Sequence, residues 1–374
     1  MHYASLACNL DKHMLMASLP LFESEKVEAL EWSFDALFKV KDIPDWFQEL
    51  LITYGKEGRL IGHGVFFSIF SGKWLPEQAV WLEQLALFSK QYSFDHITEH
   101  FGFMTGEDFH KGAPIGVPFS ETTLAIGIDR LKRIQQACHC PVGLENLAFS
   151  YSLEEVKWHG DFLEKLVEPV NGFIILDLHN LYCQLHNFEA SFEEMVALYP
   201  MERVREIHIS GGSWEDSLLF PGEKIRRDTH DEAVPETVFE LLGKAIARCP
   251  NLKYVVMEQL GTALRTPESH RLFQDDFLKM EAIVQAHQNK EAHFLNDFFP
   301  KNKFSQGDPV QDETLATQQA ELSKILVTAK NTAEAQQMLA NSSLANSAWN
   351  LENWKPTMLE TAIAIAQKWR DGWA

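Results

Sequence analysis

Gly172-Phe173-Ile174-Ile175-Leu176-Asp177-Leu178-His179-Asn180 is the stretch on which the fold turns. Its run of large apolar residues suits a strand buried on both faces, as in a parallel sheet covered by helices. The carboxylate that closes the run has no place in such a core without a partner, because burying an unpaired charge is costly. The stretch therefore predicts both a strand and something at its end that needs an acid.

Seven more runs of the same kind lie outward from it: Tyr3 to Leu10, Val27 to Phe34, Arg59 to Phe67, Phe94 to Phe103, Val142 to Phe149, Val204 to Ser210 and Tyr254 to Leu260. Segments with apolar residues at helical spacing separate them, among them Pro76 to Tyr92, Glu121 to Ala137, Asp161 to Val167, Phe192 to Leu198 and Pro235 to Ala247. Eight strand–helix alternations suit a closed parallel barrel, in which each helix returns the chain for the next strand. An open doubly wound sheet would carry a glycine-rich phosphate turn after its first strand, and Ala7-Cys8-Asn9-Leu10-Asp11 has none. The expectation is an α/β chain with a (β/α)8 TIM-type barrel over residues 1–295 and a C-terminal helical extension, linker included, over 296–374. Pro300 to Asp312 reads as the linker, and Glu313 to Met338 and Trp354 to Trp373 read as amphipathic helices. Trp349, Trp354, Trp369 and Trp373 serve there either as anchors for a bound peptide or as packing against the barrel.

The composition is that of a globular protein, with 45% hydrophobic and 23% charged residues. A net charge of −20 repels phosphate backbones and anionic lipid surfaces, so nucleic acid and membrane are not expected partners. Five scattered cysteines make no disulfide framework, and the N-terminal stretch lacks the basic start and clean apolar core of a secretory signal. A cytoplasmic location is the expectation. Cys138-His139-Cys140 falls at a helix end on the far side from the strand C-termini and reads as structural.

Acids and histidines sit where barrel active sites are built, at the C-terminal ends of the strands. His63, His100, Glu145, Asp177, His208 and Glu258 end six different runs, with His179 and Asn180 just beyond Asp177 and the pair Asp228 and His230 in a loop. A single buried His or acid is usually a satisfied structural group. Three carboxylates and three histidines at six strand ends are satisfied together most simply around shared cations. Imidazole and carboxylate donors without a thiolate suit non-haem iron, manganese or zinc, and so many donors imply more than one ion. If the strand runs on to residue 179, His179 shares the face of Asp177; if the chain turns first, Asn180 is the better ligand. Gly211-Gly212-Ser213 makes either an anion-binding turn or a place where the backbone passes close to the site. Phe66, Phe67, Phe101 and Phe103 either wall the site or pack the core.

The ordered set His63-Gly64-Val65-Phe66-Phe67-Ser68, Thr98-Glu99-His100-Phe101, Leu144-Glu145-Asn146, Leu176-Asp177-Leu178-His179-Asn180, Ile207-His208-Ile209-Ser210-Gly211, Asp228-Thr229-His230 and Met257-Glu258 resembles the multinuclear non-haem iron-dependent oxidative enzymes, a family that includes the methanobactin biosynthesis oxidase. The resemblance spans roughly residues 3 to 265. It implies two or three iron ions at the barrel mouth, dioxygen as co-substrate, and modification of residues, commonly cysteine, in a ribosomally synthesised precursor peptide, often with a peptide-presenting partner protein. The matching ligand positions are His63, His100, Glu145, Asp177, Asn180, His208, Asp228, His230 and Glu258, with His179 close behind Asn180. The family often has a second His where Gly212 stands, an Arg-Asp where Gln259-Leu260 stands, and an Asn where His179 stands. Two other readings share parts of the pattern: a divalent-metal sugar isomerase or phosphoesterase-like hydrolase on the same barrel, and a non-catalytic barrel that binds a partner.

Overall fold

The computed structural model describes residues 1–38, 40, 42–106, 111–288, 295–301, 304 and 307–371. Trp373 and parts of the linker (302, 303, 305 and 306) lie outside the described residues. Eight parallel strands close into one barrel in sequence order: β1 (Tyr3–Ala7), β2 (Ala29–Trp32), β3 (Leu60–Gly64), β4 (His96–His100), β5 (Val142–Glu145), β6 (Phe173–Asp177), β7 (Val204–Ile209) and β8 (Tyr254–Met257). Each lies inside one of the eight runs read from the sequence. Strand pairing sets the site, because it places His100 opposite Glu145 and Asp177 opposite His208 on neighbouring strands.

Helices return the chain between strands and bury their apolar stripes on the barrel's outer face. Pro76–Tyr92 and Glu236–Ile246 match their expected bounds within a residue, whereas Asp161 to Val167 is only the second half of a helix that begins at Leu153. Ser152 caps that helix by accepting from the Glu155 N–H. β6 ends at Asp177, whose side chain accepts from the Asn180 N–H at 2.5 Å and caps a helix over Leu178–Asn187. The chain thus turns before residue 179. No helix among the described residues is long and apolar enough to cross a membrane.

Past the barrel, Glu313–Thr328, Thr332–Ala340 and Pro356–Lys368 are helical. The stretch expected as one helix to Met338 is two, because Asn331 caps a new start by accepting from the Glu334 N–H. These helices dock on loops that follow the barrel strands. Gln319 accepts from the Gly72 N–H at 2.8 Å and donates to Phe70 O at 2.7 Å. Trp354 stacks on Tyr151 with ring centroids 3.8 Å apart, and the Lys355 N–H donates to Tyr151 O. Trp349 and Trp354 are buried, so both are packing residues of this contact.

Candidate metal centre

The strand ends and two loops bring His63, His100, Glu145, Asn180, Asp228, His230 and Glu258 to one cavity of ≈ 460 Å³ at the barrel mouth. Asp177 and His208 lie buried next to it. Glu145 is the hub. Its Oε2 lies 3.4 Å from His63 Nε2 and 3.6 Å from His100 Nε2, and its Oε1 lies 4.0 Å from His208 Nδ1. His208 Nδ1 also faces Glu258 Oε2 at 3.3 Å.

Neighbouring groups fix how the rings point. His63 Nδ1 is 2.8 Å from Thr98 Oγ1, and because the Thr98 hydroxyl donates to Gly62 O, Nδ1 carries the proton and Nε2 is left facing Glu145. His100 Nδ1 donates to Gly64 O at 2.9 Å, which leaves its Nε2 facing the same carboxylate. Such outer bonds orient metal-binding histidines generally. Asn180 donates to Glu145 Oε1 at 3.0 Å and to Asn146 O at 2.8 Å, and its own Oδ1 has no hydrogen-bond partner.

His179 is placed differently from Asn180. Its Nδ1 is 3.0 Å from Asp228 Oδ1, and its Nε2 accepts from the Arg226 guanidinium at 3.1 and 3.0 Å. Both ring nitrogens are thereby engaged. Asp228 Oδ1 also meets His230 Nε2 at 3.0 Å. Gly211 and Gly212 let the backbone pass: a Cβ on Gly211 would lie 2.2 Å from Ala233 O, and one on Gly212 would lie 2.2 Å from Arg227 O. Phe101 lines the cavity, while Phe67 and Phe103 belong to the core. Cys138 and Cys140 are buried at a helix end beside β5, remote from the cluster in the fold.

The donor set fits cations. His208 Nδ1, Asp177 Oδ2 and Asn180 Oδ1 are buried without a hydrogen-bond partner, a costly state that a cation would relieve. Separations of 3.3 to 3.6 Å between the nitrogens and carboxylate oxygens are long for hydrogen bonds. The two shorter ones fall within the donor–donor edge of about 3.0–3.4 Å that follows from metal–ligand bonds of about 2.1 Å. Three triads, His63–His100–Glu145, Glu145–Asp177–His208 and Glu31–Glu206–His208, each bring one donor atom per residue within 4.8 Å of the others; the first two share Glu145 and the last two share His208.

Without a cation, protons bear the charge. Burial alone would depress His63, but the adjacent Glu145 carboxylate and the Glu31 charge lift it to about 9. Burial opposes His230 too, and Asp228 lifts it to about 10. Burial and the charges of Glu145 and Asp228 push Asp177 well up. Three buried groups were missed by reading strand ends: Glu31, Glu206 and His96, all on barrel strands. The available signal was parity, since Glu206 stands two residues before His208 and so on the same face of β7.

Among curated relatives, the chain is 24% identical over 213 residues to a UPF0276 protein of Shewanella loihica, covering 57% of this chain and 72% of that one. It is 26% identical over 189 residues to the UPF0276 protein RB0508 of Rhizobium meliloti, covering 50% of this chain and 60% of that one. Among solved structures it is similar, at 13% identity and a TM-score of 0.47, to the IOLI protein with a binding zinc atom, over 76% of this chain and 97% of that one. The family model described as RiPP precursor modification enzyme MbnB/TglH/ChrH, where RiPP denotes a ribosomally synthesised and post-translationally modified peptide, matches residues 36–275. That match takes in every donor described above except Glu31, and it places the chain in the MbnB/TglH/ChrH family of RiPP precursor modification enzymes.

Proposed function

We propose that the chain is an iron- and dioxygen-dependent oxidase that modifies a residue, cysteine first, of a ribosomally synthesised precursor peptide. The observation that carries this reading is the cluster of unpartnered buried donors around Glu145, opening on a cavity large enough for a few side chains. His63, His100, Glu145, Asp177, Asn180, His208, Asp228, His230 and Glu258 would hold two or three ions, since a single octahedral ion uses only about six donors. His179 acts one step out, orienting Asp228 under the grip of Arg226. Iron bound there would supply electrons for dioxygen and an anchor for a soft substrate atom.

The chain's own residues do the rest. Thr98 and Gly64 O hold the His63 and His100 rings by their Nδ1 protons. Asn146 ties β5 to β6 by accepting from the Asp177 N–H and donating to Asp177 O, which keeps Glu145 and Asp177 in register. Met358, Thr361 and Ile365 of the last helix join Leu147 and Phe149 in an apolar wall that positions a peptide and keeps water from the reacting atoms. Residues 296–374 thus act as a module that completes the substrate cavity of the barrel, 1–295, and a peptide-presenting partner protein would dock beside it.

The test is metal analysis of the protein from iron-fed cells, followed by incubation with a cysteine-containing precursor peptide with and without oxygen. More than one iron per chain and an oxygen-dependent change in peptide mass are expected. One equivalent of zinc without iron, or equal turnover without oxygen in the presence of manganese or zinc, overturns the reading in favour of an isomerase or hydrolase.

A further inference from the structure

Below the mouth, the barrel interior carries a line of charge that reaches its opposite end. His208 Nε2 lies 3.2 Å from Glu31 Oε2 and 3.4 Å from Glu206 Oε1. The other oxygen of Glu206, Oε2, is 2.7 Å from His96 Nε2. His96 Nδ1 is 3.1 Å from Asp95 Oδ2, and Asp95 pairs with Arg205 at 2.9 Å and with Lys253 at the N-terminal ends of β7 and β8. Glu206, His96 and His208 have no exposure to solvent, and the rings of Phe173 and Tyr254 lie 4.7 and 5.4 Å from His96. Interiors of such barrels are filled by layers of branched aliphatic side chains. An aliphatic residue at 206 would avoid the desolvation cost of a buried ion, so a carboxylate here answers a need that packing does not meet.

We propose that Glu206 is a positioning residue for the metal centre: it fixes the ring of His208 so that Nδ1 faces Glu145, Asp177 and Glu258, and the His96–Asp95–Arg205 chain holds Glu206 in turn. The inference rests on the metal-centre reading above. A carboxylate beside Nε2 selects the tautomer with its proton there, which leaves the Nδ1 lone pair directed at the mouth. The oxygens that face this nitrogen, Glu31 Oε2 and Glu206 Oε1, both lack a hydrogen-bond partner, but Glu206 is anchored through its second oxygen, 2.7 Å from His96 Nε2. Of the two acids, Glu206 is the one with a defined position to impart.

The full-length protein, loaded with Co(II) during expression, is challenged with graded EDTA while its cobalt content and d–d absorption are followed. Glu206→Gln keeps the volume and removes the charge, and it should release cobalt at a 10- to 100-fold lower chelator concentration, with an altered d–d spectrum. His96→Gln, which removes only the anchor, should shift both readouts in the same direction by less. Curves and spectra that superimpose on wild type overturn the proposal. So does a Glu206→Gln protein that fails to fold while His96→Gln holds cobalt as wild type does, and failure of both to fold assigns the chain to barrel stability and overturns it too. A wild-type protein that takes up neither cobalt nor iron overturns the metal-centre reading itself.

Discussion

The floor of the cavity, from His63 to Glu258, gathers charged groups that are short of partners, whereas the wall contributed by Met358, Thr361 and Ile365 is apolar or internally satisfied, the Thr361 hydroxyl donating to Thr357 O at 2.9 Å. The floor lies within the family match at 36–275, and this helical part of the wall, unlike Leu147 and Phe149, lies beyond it. Under the proposed function the contrast separates two tasks on one cavity: the floor would bind ions and tolerate little change, and the wall would receive a side chain and could change without disturbing them.

The largest expected effect falls on the floor. Glu145→Ala removes the acid shared by two of the three donor triads, so metal content should collapse and activity should fall by more than about 100-fold, the upper end for residues that only orient ligands, with the barrel still folded. Metal content close to wild type would break the contrast at its strongest point. Trp354→Ala should cost about 3–5 kcal/mol in the stability of the docked helices by deleting a buried ring from the Tyr151 stack. Chemical denaturation checks the stability, and metal analysis should show the floor still loaded.

A smaller effect depends on pH. His159 is fully buried and accepts from the Leu147 N–H, just past Glu145-Asn146. Burial depresses it from 6.5 to about 3. The unfolded chain takes up this proton as pH falls through 6.5, but the folded chain does not until about 3, so stability is lost across that window as pH falls. The loss should be about 2 kcal/mol between pH 6.5 and 5, and His159→Gln, whose amide oxygen can still accept from Leu147, should lack that slope. Smallest of all, Ile365→Trp narrows the wall and should raise the apparent KM for peptide about tenfold, roughly 1.4 kcal/mol, with metal content unchanged. A loss of metal in that variant would show that wall and floor are not independent.

The barrel was legible because its strands are short apolar runs and its helices carry a strong stripe, two patterns that survive without tertiary information. Strand ends were legible as a site for the same reason, since Asp177 and Glu258 interrupt runs that have no other use for an acid. Glu31 and Glu206 were not, because a charge inside a strand reads as a solvent-facing residue until closure of the barrel shows that its face is interior. The choice of His179 or Asn180 as ligand turns on where β6 stops, and the cap formed by Asp177, which ends the strand before 179, is visible only in three dimensions. The contribution of Pro356–Lys368 to the cavity was beyond reach, because its amphipathic pattern tells that one face is buried but not against what.

The close packing at Gly212 has a consequence for substitution. A Cβ on Gly212 would lie 2.8 Å from Cε1 of His179, so the two positions compete for one volume. Where the resembling family often carries an imidazole after the glycine of the His208 motif, this chain has none, and it has an imidazole at 179 where an asparagine is commoner. The two departures are therefore sterically linked, because a ring at 179 occupies the space that a side chain at 212 would need. A side chain grafted at 212 should be tolerated only after 179 has been made smaller and the backbone at Arg227 has given way.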